Sequence, residues 1–385
     1  MDSSNTYSVL IVGYLSDRHI QRLIRHLRDI NPQARIDVLA SSCRDDVPED
    51  IRECISNLYV PQTAKDSPNR MTQIWKFFHT RTILRLIASN HYNVINIHYP
   101  SYYHYFYLPY FRKMTSTILL TPWGSDVYRV GKLQRIILKR LYLKADKVSS
   151  GDNRFSEDVK RIYKLPDTKR VSLDIGSDTI DYIHEHLDSV SKDDAKEKLD
   201  VKDKYIITCS YNGSVDHRHE IIIEAINKIK DSLSSNIILF FPFTYAGTEE
   251  YANKLKNKLS EYNLKYKFFE SYLSVEDLFL IRRASDMFIH IQPSDANSQS
   301  LQEYLICGAK VVNGEWVRYK ELEIDGLMPY FIVEDINSLD KAILNAYKSN
   351  AIIINSKLIN YITSYGWKKM IIKWDSFFKS TEYIG

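Results

Sequence analysis

The stretch from Met287 to Val312 constrains this chain most. Met287-Phe-Ile-His-Ile is an apolar run of strand length that stops at Pro293. A polar loop through Asp295 to Ser300 follows, and Leu301, Tyr304, Leu305 and Cys307 then supply the apolar face of a helix. Gly308 stands where that helix would end, and Val311-Val312 begins another strand. The pattern is strand, loop, helix, strand, with Asp295 ahead of the helix and Glu303 inside it. In an open α/β sheet, ligands bind in the crevice outside the carboxyl ends of the strands, so both carboxylates are candidate site residues. Backbone amides at Ser298, Gln299 and Ser300, with the positive end of the helix dipole, suit a diphosphate. Glu303 can accept two hydrogen bonds from vicinal sugar hydroxyls. The same pattern also fits an ordinary capped helix with a solvated Glu303.

At 385 residues the chain is long enough for two domains, each with its own core. Hydrophobic content of 44% and charged content of 26% describe a soluble globular protein. No apolar run approaches the roughly 18 residues of a membrane span. Met1-Asp-Ser-Ser-Asn-Thr6 lacks the basic and apolar blocks of a signal peptide. Cys43, Cys54, Cys209 and Cys307 show neither metal-type nor redox-type spacing, so reduced thiols in a cytoplasmic protein are expected. Charge is uneven: residues 1–180 carry 27 Lys+Arg against 18 Asp+Glu, and the remainder 25 against 30. Between Ser67 and Ala145 stand twelve basic residues and one acid, Asp126. Such a surface favours an anionic partner, and the cytoplasmic face of an anionic membrane is one. No nucleic-acid motif accompanies it, so no nucleic-acid partner is expected.

The first half opens as a Rossmann-like unit. Tyr7 to Gly13 is a short apolar strand, Ile20, Leu23, Ile24 and Leu27 mark a helix, and Arg35 begins a second strand. Gly13 alone is not the dinucleotide fingerprint, which argues against NAD. Val94 to His98 is a later strand with His98 at its carboxyl end, either a ligand contact or a structural histidine. Tyr99 to Phe111 holds eight aromatics, Tyr99 and Tyr102 among them, suited to stacking on sugars, to a bilayer interface, or to a helix packed on the sheet. Strand Ile118-Leu-Leu feeds Trp123-Gly124-Ser125-Asp126, where Gly124 permits close backbone approach and Asp126 is either a functional carboxylate or a buried, loop-capping one. Lys132 to Lys144 is a basic amphipathic helix of the kind that docks on anionic membranes or simply covers a core. Ala145 to Ser150 reads as the last strand of this domain, and Ser191 to Lys198 as an exposed helix near the junction.

The second half opens likewise. Strand Tyr205–Ser210 leads through Asn212 to a basic cluster, His217-Arg218-His219, ahead of an apolar helix. Positive charge there does not help the helix dipole, so a bound anion is a good reason for it. Further strands are expected at 237–241, 265–269 and 287–291, and one or two helices at 360–378.

These residues resemble the GT-B glycosyltransferases, particularly the retaining family 4-like group. Asp295 and Glu303 match the spacing of that group's E-x7-E motif, with Asp in the first place. Trp123-Gly-Ser-Asp126 looks like its WGSD loop, and Ala145-Asp-Lys-Val-Ser and Ile175-Gly-Ser-Asp178 look like its domain-crossing segment. Phe241 to Tyr251 is similar to a stretch in acetamido-fucosyltransferases of bacterial surface polysaccharide assembly. The resemblance implies an α/β fold of two Rossmann-like domains facing across a cleft: an acceptor-binding domain at 1–180 and a nucleotide-sugar-binding domain at 181–360. Helices at 361–385 would pack back on the first.

It also implies roles. Glu303 would bind the donor ribose, and the amides of Ser298, Gln299 and Ser300 the diphosphate, with Arg218, His217 or His219 as the cation. Gly13 and Asn212 are further donor contacts. Asp295 would contact the transferred sugar, with Asp126 and His98 as the other catalytic candidates. Trp123 replaces a histidine common in the group, and Trp123, Gly124, Ser125, Tyr99 and Tyr102 are expected near the acceptor. The expected reaction moves a sugar from a nucleotide-diphosphate sugar to a hydroxyl of a lipid-linked surface glycan (capsule or O-antigen). Retention at the anomeric carbon is expected, with neither metal nor cofactor. The alternatives are a GT-B-fold sugar-nucleotide epimerase and a non-catalytic glycosyltransferase-like partner subunit.

Overall fold

The computed structural model describes residues 6–41, 47–61, 70–151, 153–350, 352 and 354–381; Cys43 and the amino-terminal residues 1–5 lie outside them. The chain divides into two compact units, Met1–Gly176 with Trp367–Gly385, and Ser177–Gly366.

The first unit is built on seven parallel strands: β1 (Ser8–Gly13), β2 (Arg35–Ala40), β3 (Asn57–Tyr59), β4 (Val94–His98), β5 (Thr117–Thr121), β6 (Lys147–Ser149) and β7 (Arg170–Val171). They lie in the order β3-β2-β1-β4-β5-β6-β7. Parallel neighbours need a crossover, which helices supply here, so the central strands are covered on both faces. Every residue of β1 and β4 is accordingly buried. The order turns round between β1 and β4, so the loops leaving Gly13 and His98 diverge and open a crevice at the strands' carboxyl ends. The strand expected to be last, β6, is followed by β7, a two-residue edge strand too short to carry a hydrophobic signal.

Helix Arg18–Ile30 starts on Asp17, whose carboxylate accepts from the His19 and Ile20 amides, and buries Ile20, Leu23, Ile24 and Leu27. The carboxyl-terminal helix Trp367–Ser380 packs against it: Trp367 stacks on His26 at 4.8 Å, and Trp374 Nε1 donates to Asp174 O at 2.7 Å. The aromatic run after β4 forms a 3-10 helix, Tyr102–Tyr107, and then helix Leu108–Met114, with Tyr107, Leu108, Phe111 and Met114 buried and Tyr102 and Phe106 exposed.

The second unit has six parallel strands: β8 (Tyr205–Cys209), β9 (Ile237–Pro242), β10 (Tyr266–Phe269), β11 (Met287–His290), β12 (Lys310–Gly314) and β13 (Phe331–Val333). Their order is β10-β9-β8-β11-β12-β13, which turns round between β8 and β11. Ile207, Ile222, Ile226, Leu239, Phe241, Ile289 and Val312 centre its core. Helix Lys192–Lys198 is exposed at Asp193, Asp194, Glu197 and Lys198, as its charge leads one to expect, but it is anchored at two residues. Ala195 is fully buried, and the Lys196 ammonium reaches Asp286 at 2.7 Å and Lys204 O at 2.9 Å, which lets its stem be buried too.

Candidate functional site

In the first unit, the loops after β1, β4 and β5 bring six of the expected residues together. Gly13 has no room for a side chain: a Cβ would stand 2.8 Å from Ile20 Cδ1 and 3.2 Å from His98 Cβ. Its role in the structure is therefore to let the first helix and β4 close up. His98 is buried, and Asn96, two residues earlier on the same strand face, holds it through Nδ2···Nε2 at 2.9 Å. Thr121 Oγ1 donates to Asn96 Oδ1 at 2.8 Å, which orients the amide so that His98 Nε2 accepts and Nδ1 carries the proton. Burial pushes the His98 pKa down to about 3, so the ring is neutral.

Trp123 lies beside it, with ring centroids 6.0 Å apart, and Tyr99 stacks on the other ring at 4.9 Å. Gly124 has φ 113°, a conformation only glycine adopts readily, and it turns the chain into the short Ser125–Tyr128 helix. Asp126 folds back so that Oδ1 accepts from the Trp123 and Gly124 amides at 2.8 and 2.9 Å. Its other oxygen, Oδ2, is buried without a hydrogen-bond partner, as are His98 Nδ1 and Trp123 Nε1. Burial raises the Asp126 carboxyl from 3.8 to about 6, against the opposing pull of those amides. Ser125 is exposed. Tyr102 is exposed on the 3-10 helix, its ring edge against Tyr103.

The second unit places its candidates around the loops after β8 and β11. Of the three basic residues, His217 and His219 are buried and neutral: desolvation lowers them to about 2 and about 4. His217 Nδ1 bonds the Ser210 hydroxyl, and His219 packs among Phe241, Phe243 and Tyr251. Neither supplies positive charge at neutral pH; their apolar surroundings forbid it. Arg218 does. It sits half-buried at the start of helix His219–Ile229 with φ 57°, donates from Nη1 to Ile291 O at 3.3 Å, and lies 5.5 Å from the Trp316 ring centroid. Asn212 is buried, and its Oδ1 accepts from the Ser214 amide at 2.8 Å, shaping the turn that leads there.

Asp295 Oδ2 accepts from Gln292 Nε2 and meets His290 Nε2 at 3.2 Å, while His290 Nδ1 meets Asn313 Oδ1 at 2.8 Å. Ser298 caps helix Gln299–Ile306 by accepting from the Leu301 amide, and Ser300 lies in the first turn. Glu303 is buried in the same helix. Arg282 Nε donates to its Oε2 at 2.7 Å and Ser177 Oγ to its Oε1 at 3.1 Å.

Comparison with known proteins fits this geometry. Residues 8–151 match the family described as "Glycosyl transferase 4-like". A glycosyltransferase from Rickettsia africae superposes with a TM-score of 0.68 at 17% identity, covering 97% of this chain and 98% of its own. Sucrose-phosphate synthase from Thermosynechococcus elongatus gives 0.69 at 14%, covering 97% and 98%. HepE of Anabaena, in complex with UDP and glucose, gives 0.65 at 12%, covering 97% and 100%. The chain has the two-domain GT-B fold, and the family match lies within its first unit. No curated protein sequence matches it significantly.

Several residues of the two clusters carried no motif signal: Asn96, Thr121, Arg282, His290, Gln292, Asn313 and Trp316. A weaker signal was present for four of them. Asn96, Thr121, His290 and Asn313 are polar residues within or ending runs that are otherwise apolar, and a polar side chain inside a buried strand needs a partner. Arg282 has no such mark, because the adjacent Arg282 and Arg283 in the last turn of helix Val275–Ala284 read as solvated.

Proposed function

We propose that the protein transfers a sugar from a nucleotide-diphosphate donor to a hydroxyl of a lipid-linked surface glycan at a membrane face. The supporting observation is Arg218: a half-buried guanidinium at the crevice end of β11, in a fold shared with a protein solved with UDP and glucose. On this reading Arg218 and the amides at Ser298, Gln299 and Ser300 receive the diphosphate. Negative charge grows on it as the bond to the anomeric carbon breaks, and fixed donors stabilise that charge without reorganising. Each oxygen of Glu303 has one internal partner and keeps a lone pair for a ribose hydroxyl. Asp295, held by Gln292 and His290, faces the transferred sugar. The first unit takes the acceptor, whose hydroxyl donates to Asp126 Oδ2, with the N–H groups of His98 and Trp123 as neighbouring donors. Family resemblance supports retention at the anomeric carbon. A cation and amides fill the role a divalent ion would have at the diphosphate.

The test is thermal stabilisation of the full chain by UDP, GDP, TDP, CMP and their sugars. Ligand at a hundredfold excess over its dissociation constant adds about 2.7 kcal/mol. One nucleotide family should raise Tm, and Arg218→Ala should lose the shift. No shift with any of them would overturn the donor site. Isomerised sugar nucleotide without acceptor would identify an epimerase, and turnover lost to chelator and restored by manganese would overturn metal independence.

A further inference from the structure

While Thr80 and Leu84 are buried, helix Arg70–Leu86 exposes Ile74, Trp75 and Phe78, with Trp75 60% exposed. These positions are spaced as one helical stripe, and the stripe faces outward. The helix Lys132–Lys144 does the same with Leu133, 81% exposed, and Ile136, while burying Leu138 and Leu141. Between them lies the 3-10 helix Tyr102–Tyr107. Its exposed Phe106 edges Phe77 of the first helix at 6.1 Å, and its Tyr105 ring lies 5.3 Å from the Lys144 ammonium of the second. Large apolar side chains turned to solvent on adjoining elements form a patch that a soluble monomer rarely keeps without a use.

The charge around the patch selects its partner. The two helices carry four and five Lys+Arg respectively and no Asp or Glu. A protein partner with a mixed surface does not require that exclusion of acids, and a nucleic acid has no use for exposed Leu and Ile. An anionic bilayer uses both: apolar side chains enter the acyl boundary while long cationic ones reach headgroup phosphates. We infer that this face of the first unit, the two helices with the 3-10 helix between them, docks on an anionic phospholipid surface and inserts Ile74, Trp75, Phe78, Phe106, Leu133 and Ile136 to interfacial depth. Among the described residues no helix is long and apolar enough to cross a membrane. The inference bears on the membrane part of the proposed function, and its test needs no donor or acceptor.

The experiment is co-sedimentation of the full chain with phosphatidylcholine vesicles, with and without phosphatidylglycerol, at low and high salt, with tryptophan emission read in parallel. Binding should require phosphatidylglycerol, weaken with salt, and shift emission to the blue. Trp75→Ser with Phe78→Ser should lower the partition coefficient about tenfold or more, the effect of withholding large apolar side chains from burial. Lys139→Glu with Arg140→Glu should do so comparably, at about 1 kcal/mol per cation. Absence of binding at low salt, binding that neither double variant changes, or self-association abolished by Trp75→Ser with Phe78→Ser would each overturn the inference. Nucleotide-induced stabilisation measured on the same samples separates failure of this face from failure of the donor site.

Discussion

The two candidate clusters occupy the same place in their sheets and handle polar groups in opposite ways. Both lie at the carboxyl ends of the strands where the sheet order turns round, β1 and β4 in one unit and β8 and β11 in the other. In the first, Asp126 Oδ2, His98 Nδ1 and Trp123 Nε1 are buried with nothing to bond. In the second, Glu303 and Asp295 are as buried or half-buried as Asp126, yet each is held by neighbours. An unsatisfied buried polar group costs about 1–3 kcal/mol. Asp126 bears that cost and the Glu303 and Asp295 carboxylates avoid it, although Gln302 Oε1, beside Glu303, is buried without a partner and both clusters share the same strand–loop–helix logic. On the proposed function, the unmet groups of the first cluster meet the acceptor, and the met carboxylates of the second hold a geometry fixed in advance.

The largest test of this contrast is Arg282→Ala. It leaves the Glu303 carboxylate buried without its cation, and chemical denaturation should show a loss of about 3–5 kcal/mol. Arg282→Met with Glu303→Leu should recover most of that stability while nucleotide binding stays absent. Recovery of both would strip Glu303 of any part in the donor site. Arg218→Ala should act the other way. The side chain is half-buried with one long hydrogen bond to Ile291 O, so stability should change little. Turnover should fall about 10²–10³-fold, as when one preorganised donor is removed from a developing anion. Equal loss of stability and turnover would make Arg218 a structural residue like Arg282.

The same contrast explains what could be read from the sequence. Most strands and the helices flanking β1, β8 and β11 were legible because runs such as Ser8–Gly13 and Met287–His290 are apolar throughout, and capping residues mark helix starts at Asp17 and Ser298. The edge strands β3, β7 and β13 were not, being two or three residues long and only partly buried. Helix Arg70–Leu86 is illegible for a different reason: its clearest apolar stripe faces solvent, so the pattern that normally reports a core reports a surface instead. Candidate site residues were legible where a loop concentrates them, as at 123–126. They were illegible where the partner is distant in sequence, as with Arg282 and Glu303 or Asn313 and His290. Burial was the quantity hardest to foresee. It turned His217 and His219 from expected cations into neutral rings, and nothing in a run of three basic residues announces that.

Asp126→Asn tests the unmet side. The folded carboxyl titrates near 6 against 3.8 ordinarily, so the native state holds its proton more tightly than the unfolded chain. Stability is therefore highest below about pH 4 as far as this group is concerned, and declines as pH rises through about 6. The asparagine variant should lack that slope in pH-dependent melts. If the acceptor hydroxyl uses the ionised carboxylate, turnover of the parent should rise with an acid limb near 6. The variant should be about 10²-fold slower, with the limb gone. His98→Gln should keep the limb, because a ring whose pKa lies near 3 contributes nothing at that pH. A limb that moves with His98 instead would reverse the assignment.

The smallest expected effect lies on the met side, at Ser177. Its hydroxyl donates to Glu303 Oε1 while accepting from the Ile180 amide as the cap of helix Asp178–His186. Ser177→Ala removes both bonds at once, so stability should fall by about 1–2 kcal/mol, the range for losing a helix cap. Ser177→Gly separates the two contributions, because glycine is tolerated at a cap at a cost of only a few tenths of a kcal/mol. If the glycine variant is nearly as stable as the parent, the bond to Glu303 adds little to folding, and any loss of nucleotide affinity then reports orientation of the carboxylate alone. Loss of affinity without loss of stability would show that the second unit's satisfied carboxylate is held for a ligand. Loss of stability without loss of affinity would show that it is held for the fold, and the contrast between the two clusters would reduce to packing.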